Sequence, residues 1–167
     1  GSAMLPNADA ADAQHQFCIV GAGPGGLQLG QYMMKGGRDY MLYERNPRAG
    51  SFFETYPIHR GLISLNKRNT GRDVAMFNMR HDWNSLVNGE EDGGRSLLFT
   101  NYSKKLLPPA DRLVDYLEDF AALYRLKIDF MPNVEMVSRA PDGSGRLLLD
   151  TGAGQRYSCR AVIAATG

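Results

Sequence analysis

The spacing of apolar residues changes near the start of the chain from a continuous run to a helical repeat. The run at residues 17–20 predicts a short buried strand. Residues 24–35 then place apolar side chains on one broad face and end at Gly36 and Gly37, which predicts a helix with a glycine C-terminus. A second run at residues 39–43 predicts the next strand. Together these elements form a β-α-β unit of about 30 residues, the size of a mononucleotide-binding half.

A long segment without clear periodicity separates this unit from the next predicted helix. Residues 45–110 are punctuated by proline and glycine, and they carry many aromatic side chains. Connections of this length inside a domain are usually functional or disordered, and the aromatic content favours order here. We expect the segment to fold over a flat ligand. Residues 111–125 then repeat apolar side chains at helical spacing, with Asp111 as the predicted N-cap.

The C-terminal part of the sequence predicts strands only. Residues 126–130 form the third predicted parallel strand. Three short strands joined by tight turns then predict an antiparallel β-meander, and a buried-type apolar run follows it: residues 134–139, 146–150, 155–159 and finally 161–165. The predicted fold class is therefore α/β, with a Rossmann-like parallel sheet and a three-stranded antiparallel β-meander.

The turn between the first strand and the first helix carries the pattern Gly-x-Gly-x-x-Gly at Gly21, Gly23 and Gly26. The first glycine allows a sharp turn, the second lets the backbone approach a pyrophosphate, and the third lets helix and sheet pack closely. The free N–H groups of the helix N-terminus then favour a phosphate, and Pro24 fits the first helical turn. A glycine-rich turn without a ligand is the alternative, but the strand-turn-helix context favours dinucleotide binding.

Glu44 ends the second predicted strand, about 20 residues after the glycine turn, where an acidic side chain can accept hydrogen bonds from ribose hydroxyls. A carboxylate at this position repels a 2′-phosphate. The sequence therefore predicts FAD or NAD as the ligand of this loop, not NADP. The alternative is a solvated surface carboxylate.

Composition and charge restrict the remaining classes of partner. The chain has 167 residues, of which 43% are hydrophobic and 22% charged, with a formal net charge of +1. These values are ordinary for a soluble domain and predict no nucleic-acid partner. Because no apolar run approaches the ~20 residues of a membrane span, we expect no membrane partner. We expect residues 1–15 to be a disordered lead-in with a tag scar and no signal peptide, and residues 16–167 to be one domain.

The cysteines and histidines predict neither a redox pair nor a metal site. Cys18 and Cys159 fall in strand-like segments, and we expect two free buried thiols. A Cys-x-x-Cys motif is absent, and His15, His59 and His81 lack ligand-like spacing. His59 or His81 would suit a general base near neutral pH, but the sequence names no partner for either. Catalytic residues therefore stay unassigned.

The order of elements, ending on Ala-Thr-Gly, resembles the N-terminal half of a two-dinucleotide-binding flavoprotein of the flavin-dependent monooxygenase type. The resemblance covers nearly all of residues 16–167 and implies that FAD is the ligand. It implies these contacts: Gly21, Gly23, Pro24, Gly25 and Gly26 at the pyrophosphate, Glu44 with Arg45 at the adenosine ribose, Val134 at the adenine, and Ala165, Thr166 and Gly167 near the cofactor.

A more specific resemblance rests on short strings spread over the first half of the chain, at residues 38–40, 44–45, 50–53, 56–57, 59–60, 62–68 and 81–86. Together they resemble the FAD-dependent oxidoreductase domain-containing protein 2 family. By similarity to monooxygenases, Ser51, Phe52, Phe53, Asn66 and Lys67 would lie beside the isoalloxazine ring. The alternatives are that the two phenylalanines are core residues and that Asn66 caps a turn.

The sequence also departs from this pattern. Tyr56-Pro57-Ile58-His59-Arg60 lacks the aspartate that Baeyer–Villiger members carry near the flavin, so that chemistry is in doubt. A second glycine loop for NAD(P)H and a late Gly-Asp segment are also absent. NAD(P)H is therefore expected only through a domain absent from this chain, either a missing C-terminal domain or a partner subunit, and residue 167 is expected to be an artificial end.

The resemblance implies the FAD-binding portion of a flavin-dependent oxidoreductase or monooxygenase. In the whole enzyme NAD(P)H would reduce the flavin, and oxygen or another acceptor would reoxidise it. The alternative is a truncated, standalone dinucleotide-binding module without turnover, and the isolated chain is expected to be catalytically incomplete. The expected compartment is the cytoplasm, with the lumen of the endoplasmic reticulum as the alternative implied by the family.

Overall fold

A six-stranded sheet forms the centre of the computed structural model, which describes residues 14–72, 77, 80–88 and 97–166. Its strands are β1 (Gln14–Val20), β2 (Tyr40–Glu44), β3 (Ile128–Phe130), β4 (Val134–Arg139), β5 (Leu147–Thr151) and β6 (Arg156–Ala164). The described α-helices are α1 (Pro24–Lys35), α2 (Phe52–Thr55) and α3 (Ala110–Leu123), and a 3₁₀ turn covers Phe99–Asn101. β1 begins before its predicted start at Phe17.

The strands lie in the order β3-β2-β1-β6-β5-β4, and the first four are parallel. In the register of β1, Val20 lies opposite Tyr43 of β2 and Ala164 of β6. The carboxyl ends of these three strands therefore meet at one edge of the sheet. β6, β5 and β4 form the antiparallel meander, so the predicted α/β fold with a β-meander is confirmed.

The last two predicted strands are one element. The sequence separates residues 155–159 from 161–165, but β6 runs through both and pairs with β5 and β1. Arg160 interrupts the apolar pattern without ending the strand, because its side chain is exposed. Tyr157 and Cys159 belong to one buried cluster, and Val162 packs against it.

Helices α1 and α3 pack over the other buried cluster of the protein. Ile19 of β1, Leu42 of β2, Leu27 of α1 and Leu117 of α3 are fully buried there. The prediction that Asp111 caps α3 is wrong, because Pro109 occupies the N-cap position and makes no side-chain cap. Proline with an extended backbone fits just before a helix, which moves Asp111 into the first turn.

Cys18 of β1 and Cys159 of β6 form a disulfide, with their Cα atoms 5.9 Å apart. Both residues are fully buried beside Tyr43, Leu149 and Tyr157. The prediction of two free thiols is therefore wrong. The two cysteines are 141 residues apart in the sequence, and only the tertiary pairing of β1 with β6 brings them together.

Candidate cofactor site

A cleft of about 790 Å³ opens at the sheet edge where β1, β2 and β6 end. Its walls come from the glycine turn, the start of α1, the loop after β2, α2, and the residues just before β4. Twelve of the residues predicted to bind the cofactor line it: Gly21, Gly23, Pro24, Gly25, Glu44, Arg45, Ser51, Phe52, Phe53, Val134, Ala165 and Thr166. Tertiary structure thus brings together segments that the sequence holds far apart.

The four glycines of the turn have two different roles. Gly21 has φ +105°, and a Cβ atom there would lie 2.6 Å from the carbonyl oxygen of Ala165. A Cβ on Gly26 would lie 2.0 Å from the carbonyl oxygen of Gly21. These two glycines let the chain pack against itself. Gly23 and Gly25 line the cleft together with Gly21, but a Cβ on either would meet no described atom within 4 Å.

The N-terminus of α1 presents an uncompensated positive end to the cleft. Gly23 is the N-cap and makes no side-chain cap, and the first turn holds no acidic residue. The first N–H groups of a helix lack partners inside the helix, and the helix dipole places partial positive charge there. This end of the cleft is therefore suited to an anionic group such as a phosphate.

Glu44 connects the glycine turn with the loop after β2. Its Oε2 accepts a hydrogen bond from the backbone N–H of Ala22 at 2.8 Å. Its Oε1 accepts from the backbone N–H and the side-chain Nδ2 of Asn46, both at 3.0 Å. Because Glu44 is only 7% exposed, it is not the solvated carboxylate of the alternative interpretation. A role in ribose binding stays a prediction.

Aromatic rings from α2 and from Tyr56, the residue after it, also line the cleft. Phe52 stacks on Tyr56 with ring centroids 5.1 Å apart, and Phe53 meets Phe52 edge to face at 5.3 Å. Phe52 is 60% exposed, so it is not a core residue, whereas Phe53 packs partly against the core. Exposed stacked rings of this kind offer a surface for a flat aromatic ligand.

Besides Gly26, two described residues of the predicted site lie outside the cleft lining. Asn66 is buried, and its Nδ2 donates to the carbonyl oxygen of Ser103 at 2.6 Å. The Nζ of Lys67 lies 4.1 Å from the centroid of the Trp83 ring. Both side chains therefore contact neighbouring loops. The backbone N–H groups of Leu62 and Asn66 also donate to the carbonyl oxygens of Pro108 and Leu106. Gly167, the last predicted residue, lies outside the described residues.

The candidate general bases do not reach the cleft either. The Nδ1 of His59 accepts from the backbone N–H of Gly61 at 3.2 Å. The Nδ1 of His81 lies 2.8 Å from the carbonyl oxygen of Phe77, and the two rings stack. Neither histidine is a lining residue, and the catalytic assignment stays open.

Sequence reasoning missed nine of the lining residues: Val20, Tyr43, Asn46, Gly50, Glu54, Thr55, Tyr56, Pro132 and Asn133. Asn46 was detectable, because a short amide two residues after a strand-terminal acid can bond back to it. Tyr43 was not, since the sequence does not show which side of β2 faces the cleft. Burial raises the pKa of Tyr43 well above its usual range, and its hydroxyl has no partner among the described residues. Burial also raises the pKa of the neighbouring Tyr157 to about 12, so both hydroxyls stay protonated.

A β-α-β unit with a glycine turn, an acid ending β2 and a cleft at the carboxyl edge defines a dinucleotide-binding domain of the Rossmann type. The family described as pyridine nucleotide-disulphide oxidoreductase matches residues 18–167. The chain belongs to this family.

Two curated relatives support the more specific resemblance. FAD-dependent oxidoreductase domain-containing protein 2 of Mus musculus is 43% identical over 156 residues, which cover 90% of this chain and 23% of the relative. The Danio rerio protein of the same name is 43% identical over 155 residues, covering 92% and 22%. The family resemblance predicted from the sequence is confirmed, and the chain spans about a quarter of these relatives.

Solved structures share the fold at low sequence identity. A flavin-containing monooxygenase from Stenotrophomonas maltophilia has a TM-score of 0.71 and 20% identity, covering 93% of this chain and 39% of that one. A bacillithiol disulfide reductase from Staphylococcus aureus has a TM-score of 0.69 and 19% identity, with the same coverage. In the described part of the chain, every helix is too short or too polar to cross a lipid bilayer.

Proposed function

We propose that the cleft binds FAD and that this chain is the FAD-binding portion of a flavin-dependent oxidoreductase. The observation that carries the proposal is the shape of the glycine turn. Gly23 and Gly25 leave open space directly at the uncapped N-terminus of α1, although the neighbouring glycines are tightly packed. A pyrophosphate needs both the space and the positive helix end.

The residues present also fit the other two parts of FAD. Glu44 offers carboxylate oxygens at the end of β2 for a ribose, with Arg45 beside it in the lining. Val134 lies in the lining for the adenine, and Ala165 and Thr166 follow β6 beside the glycine turn. Phe52 and Tyr56 supply a stacked apolar end for the isoalloxazine ring. Separate residues for a pyrophosphate, for an adenosine and for a flavin ring together suit a flavin dinucleotide better than a mononucleotide.

Bound FAD would supply a ring that accepts electrons from NAD(P)H and passes them to oxygen or another acceptor. The residues of this chain would hold the dinucleotide, orient its ring and exclude water. We propose that NAD(P)H binds through a domain outside this chain, contributed by the same polypeptide or a partner subunit. The 23% coverage of the mouse relative supports this division. The same partial coverage also favours a second candidate function, in which the isolated chain is a dinucleotide-binding module without turnover.

The disulfide supports one of the two compartments over the other. Disulfides between buried cysteines persist in oxidising compartments and are rare in the cytoplasm. The Cys18–Cys159 bond therefore supports the lumen of the endoplasmic reticulum over the cytoplasm, of the two compartments that the sequence leaves open.

Glu44→Gln tests the proposed site most specifically. The amide keeps the size of the side chain but loses the charge and one acceptor, so we expect FAD to bind about tenfold more weakly, with one FAD per chain retained. Glu135→Gln, the same exchange at an exposed glutamate of β4 outside the cleft lining, is the matched control and should bind as the wild type does. Calorimetric titration measures both. Equal FAD affinity in the wild type and the Glu44 variant would refute the ribose assignment.

A further inference from the structure

Helix α2 carries aromatic rings that line the cleft, but only Phe53 of its residues packs against the core. It has four residues, and none of them is buried. Phe52 is 60% exposed, and Tyr56 at the end of the helix is 46% exposed. Helices this short are not stable on their own in water. Contacts with the rest of the protein must therefore fix where these rings lie.

Arg48 provides one such contact. Its Nε donates to Oε1 of Glu118 in α3 at 2.8 Å, and its Nη2 pairs with Oε2 of the same carboxylate. Its Nη1 donates to Oε1 of Glu54 in α2 at 3.1 Å. One guanidinium thus bridges α2 and α3, with a two-point contact on the α3 side. Such forked contacts constrain geometry more strongly than a single ion pair.

Arg60 provides a second contact between α2 and α3. Its Nη2 donates to the backbone carbonyl of Phe53 at 2.6 Å and also pairs with Asp111 in the first turn of α3. Its own backbone carbonyl accepts from the N–H of Ala110 at 3.0 Å. Arg60 has φ +60°, in a region that non-glycine residues seldom occupy. Both its backbone and its side chain therefore join the α2 segment to the start of α3.

Gly50, two residues before α2, connects this assembly to the glycine turn. The N–H of Gly50 donates to the carbonyl oxygen of Ala22 in the glycine turn at 2.9 Å. Gly50 also lies directly on α3, where a Cβ would be 2.7 Å from Cδ1 of Leu117. The entry of α2 is thus fixed against the glycine turn, and the two arginines fix the helix that follows.

We propose that Arg48 and Arg60 are positioning residues that set the distance between the rings of Phe52 and Tyr56 and the glycine turn. The inference rests on the proposed FAD function and deepens it. Neither arginine needs to touch the cofactor. Their effect passes through α2 to Phe52 and Tyr56, and it concerns the ring half of FAD rather than its ADP half.

The test is the double variant Arg48→Gln/Arg60→Gln, titrated with FAD and, separately, with ADP. We expect FAD to bind about tenfold more weakly, since charged hydrogen bonds that order its ring surface are lost, while ADP binding changes less than twofold. The flavin fluorescence of the bound FAD should rise, because the rings stack less closely on it. Arg112→Gln is the matched control, since it breaks the Arg112–Asp115 pair on α3 without touching α2. Lysine at both positions keeps the charge but not the fork, and should give an intermediate FAD affinity.

A measurement without any cofactor separates this inference from the proposed function. The backbone N–H groups of Phe53, Glu54 and Tyr56 are hydrogen-bonded within the α2 turn. Hydrogen exchange of residues 50–57 in the cofactor-free chain should accelerate in the double variant and stay unchanged in the Arg112 control. Unchanged hydrogen exchange in the double variant would overturn the inference, whatever the FAD titration shows. Equal losses of FAD and ADP affinity would also overturn it. A wild type that binds neither ligand, with exchange responding as expected, would refute the FAD proposal and leave only a structural role for the arginines.

Discussion

Gly26→Ala is expected to unfold or severely destabilise the protein, although it adds a single methyl group. That methyl carbon would lie 2.0 Å from the carbonyl oxygen of Gly21, which is backbone and cannot rotate away. The turn and α1 would have to separate, and overpacking of this kind costs about 3 kcal/mol or more. Since small domains are stable by only about 5–15 kcal/mol, the urea midpoint followed by circular dichroism should fall markedly.

Gly25→Ala is the matched control for this prediction, one residue away in the same motif. A Cβ there meets nothing within 4 Å, and the residue lies inside α1. Stability should therefore stay the same or rise by about 0.5–1 kcal/mol, the usual gain of alanine over glycine in a helix. The added methyl would stand in the cleft, so FAD should bind about tenfold more weakly. Equal urea midpoints for the two variants would contradict the division of roles among the glycines.

Reduction of the Cys18–Cys159 disulfide is also expected to lower the stability of the fold by a large amount. The bond closes a loop of more than 100 residues, because the cysteines are 141 positions apart. In the chain-entropy account a loop of this order stabilises the folded state by about 4–5 kcal/mol. Both cysteines are fully buried, so reduction should need partial unfolding or denaturant.

The wild-type chain provides its own control for the disulfide, since the oxidised and reduced forms have the same amino-acid sequence. The urea midpoint of the reduced form should be far lower, and Cys18→Ala/Cys159→Ala should match the reduced form rather than the oxidised one. Mass spectrometry after alkylation in denaturant, without reductant, should find no modified cysteine. Two alkylated cysteines, or equal midpoints for both forms, would show that the bond does not form in solution.

The sequence predicted those features that depend on neighbouring residues. The β-α-β unit and the glycine turn are local, because a change of apolar period and a fixed glycine spacing lie within one short stretch. Glu44 follows from the same unit, since it ends the second strand. The β-meander was also readable from its tight turns. Within these elements the sequence predicted α1 as the structure has it, and β2 with its start displaced by one residue.

The features that sequence reasoning missed depend on contacts between distant segments. The disulfide needs β1 to pair with β6, and no local pattern specifies that pairing. Asn66 and Lys67 lie away from the cleft because residues 62–66 pair with residues 106–108, which the irregular segment did not predict. Helix α2 was missed because four residues are too few to show a helical period, and because Arg48 and Arg60 join it to the distant α3. Family resemblance supplied the candidate residues there, but not their arrangement.

The most direct test of the central claim is a titration of the folded chain with FAD and, in parallel, with FMN. We expect one FAD per chain, with the flavin absorbance near ~450 nm retained after gel filtration and FAD recovered on denaturation. FMN lacks the AMP half, so it should bind far more weakly, because Glu44 and Val134 would have nothing to hold and the glycine turn would meet one phosphate in place of two. A chain that retains no FAD, or that binds FMN as tightly as FAD, would contradict the claim that this cleft is a flavin dinucleotide site.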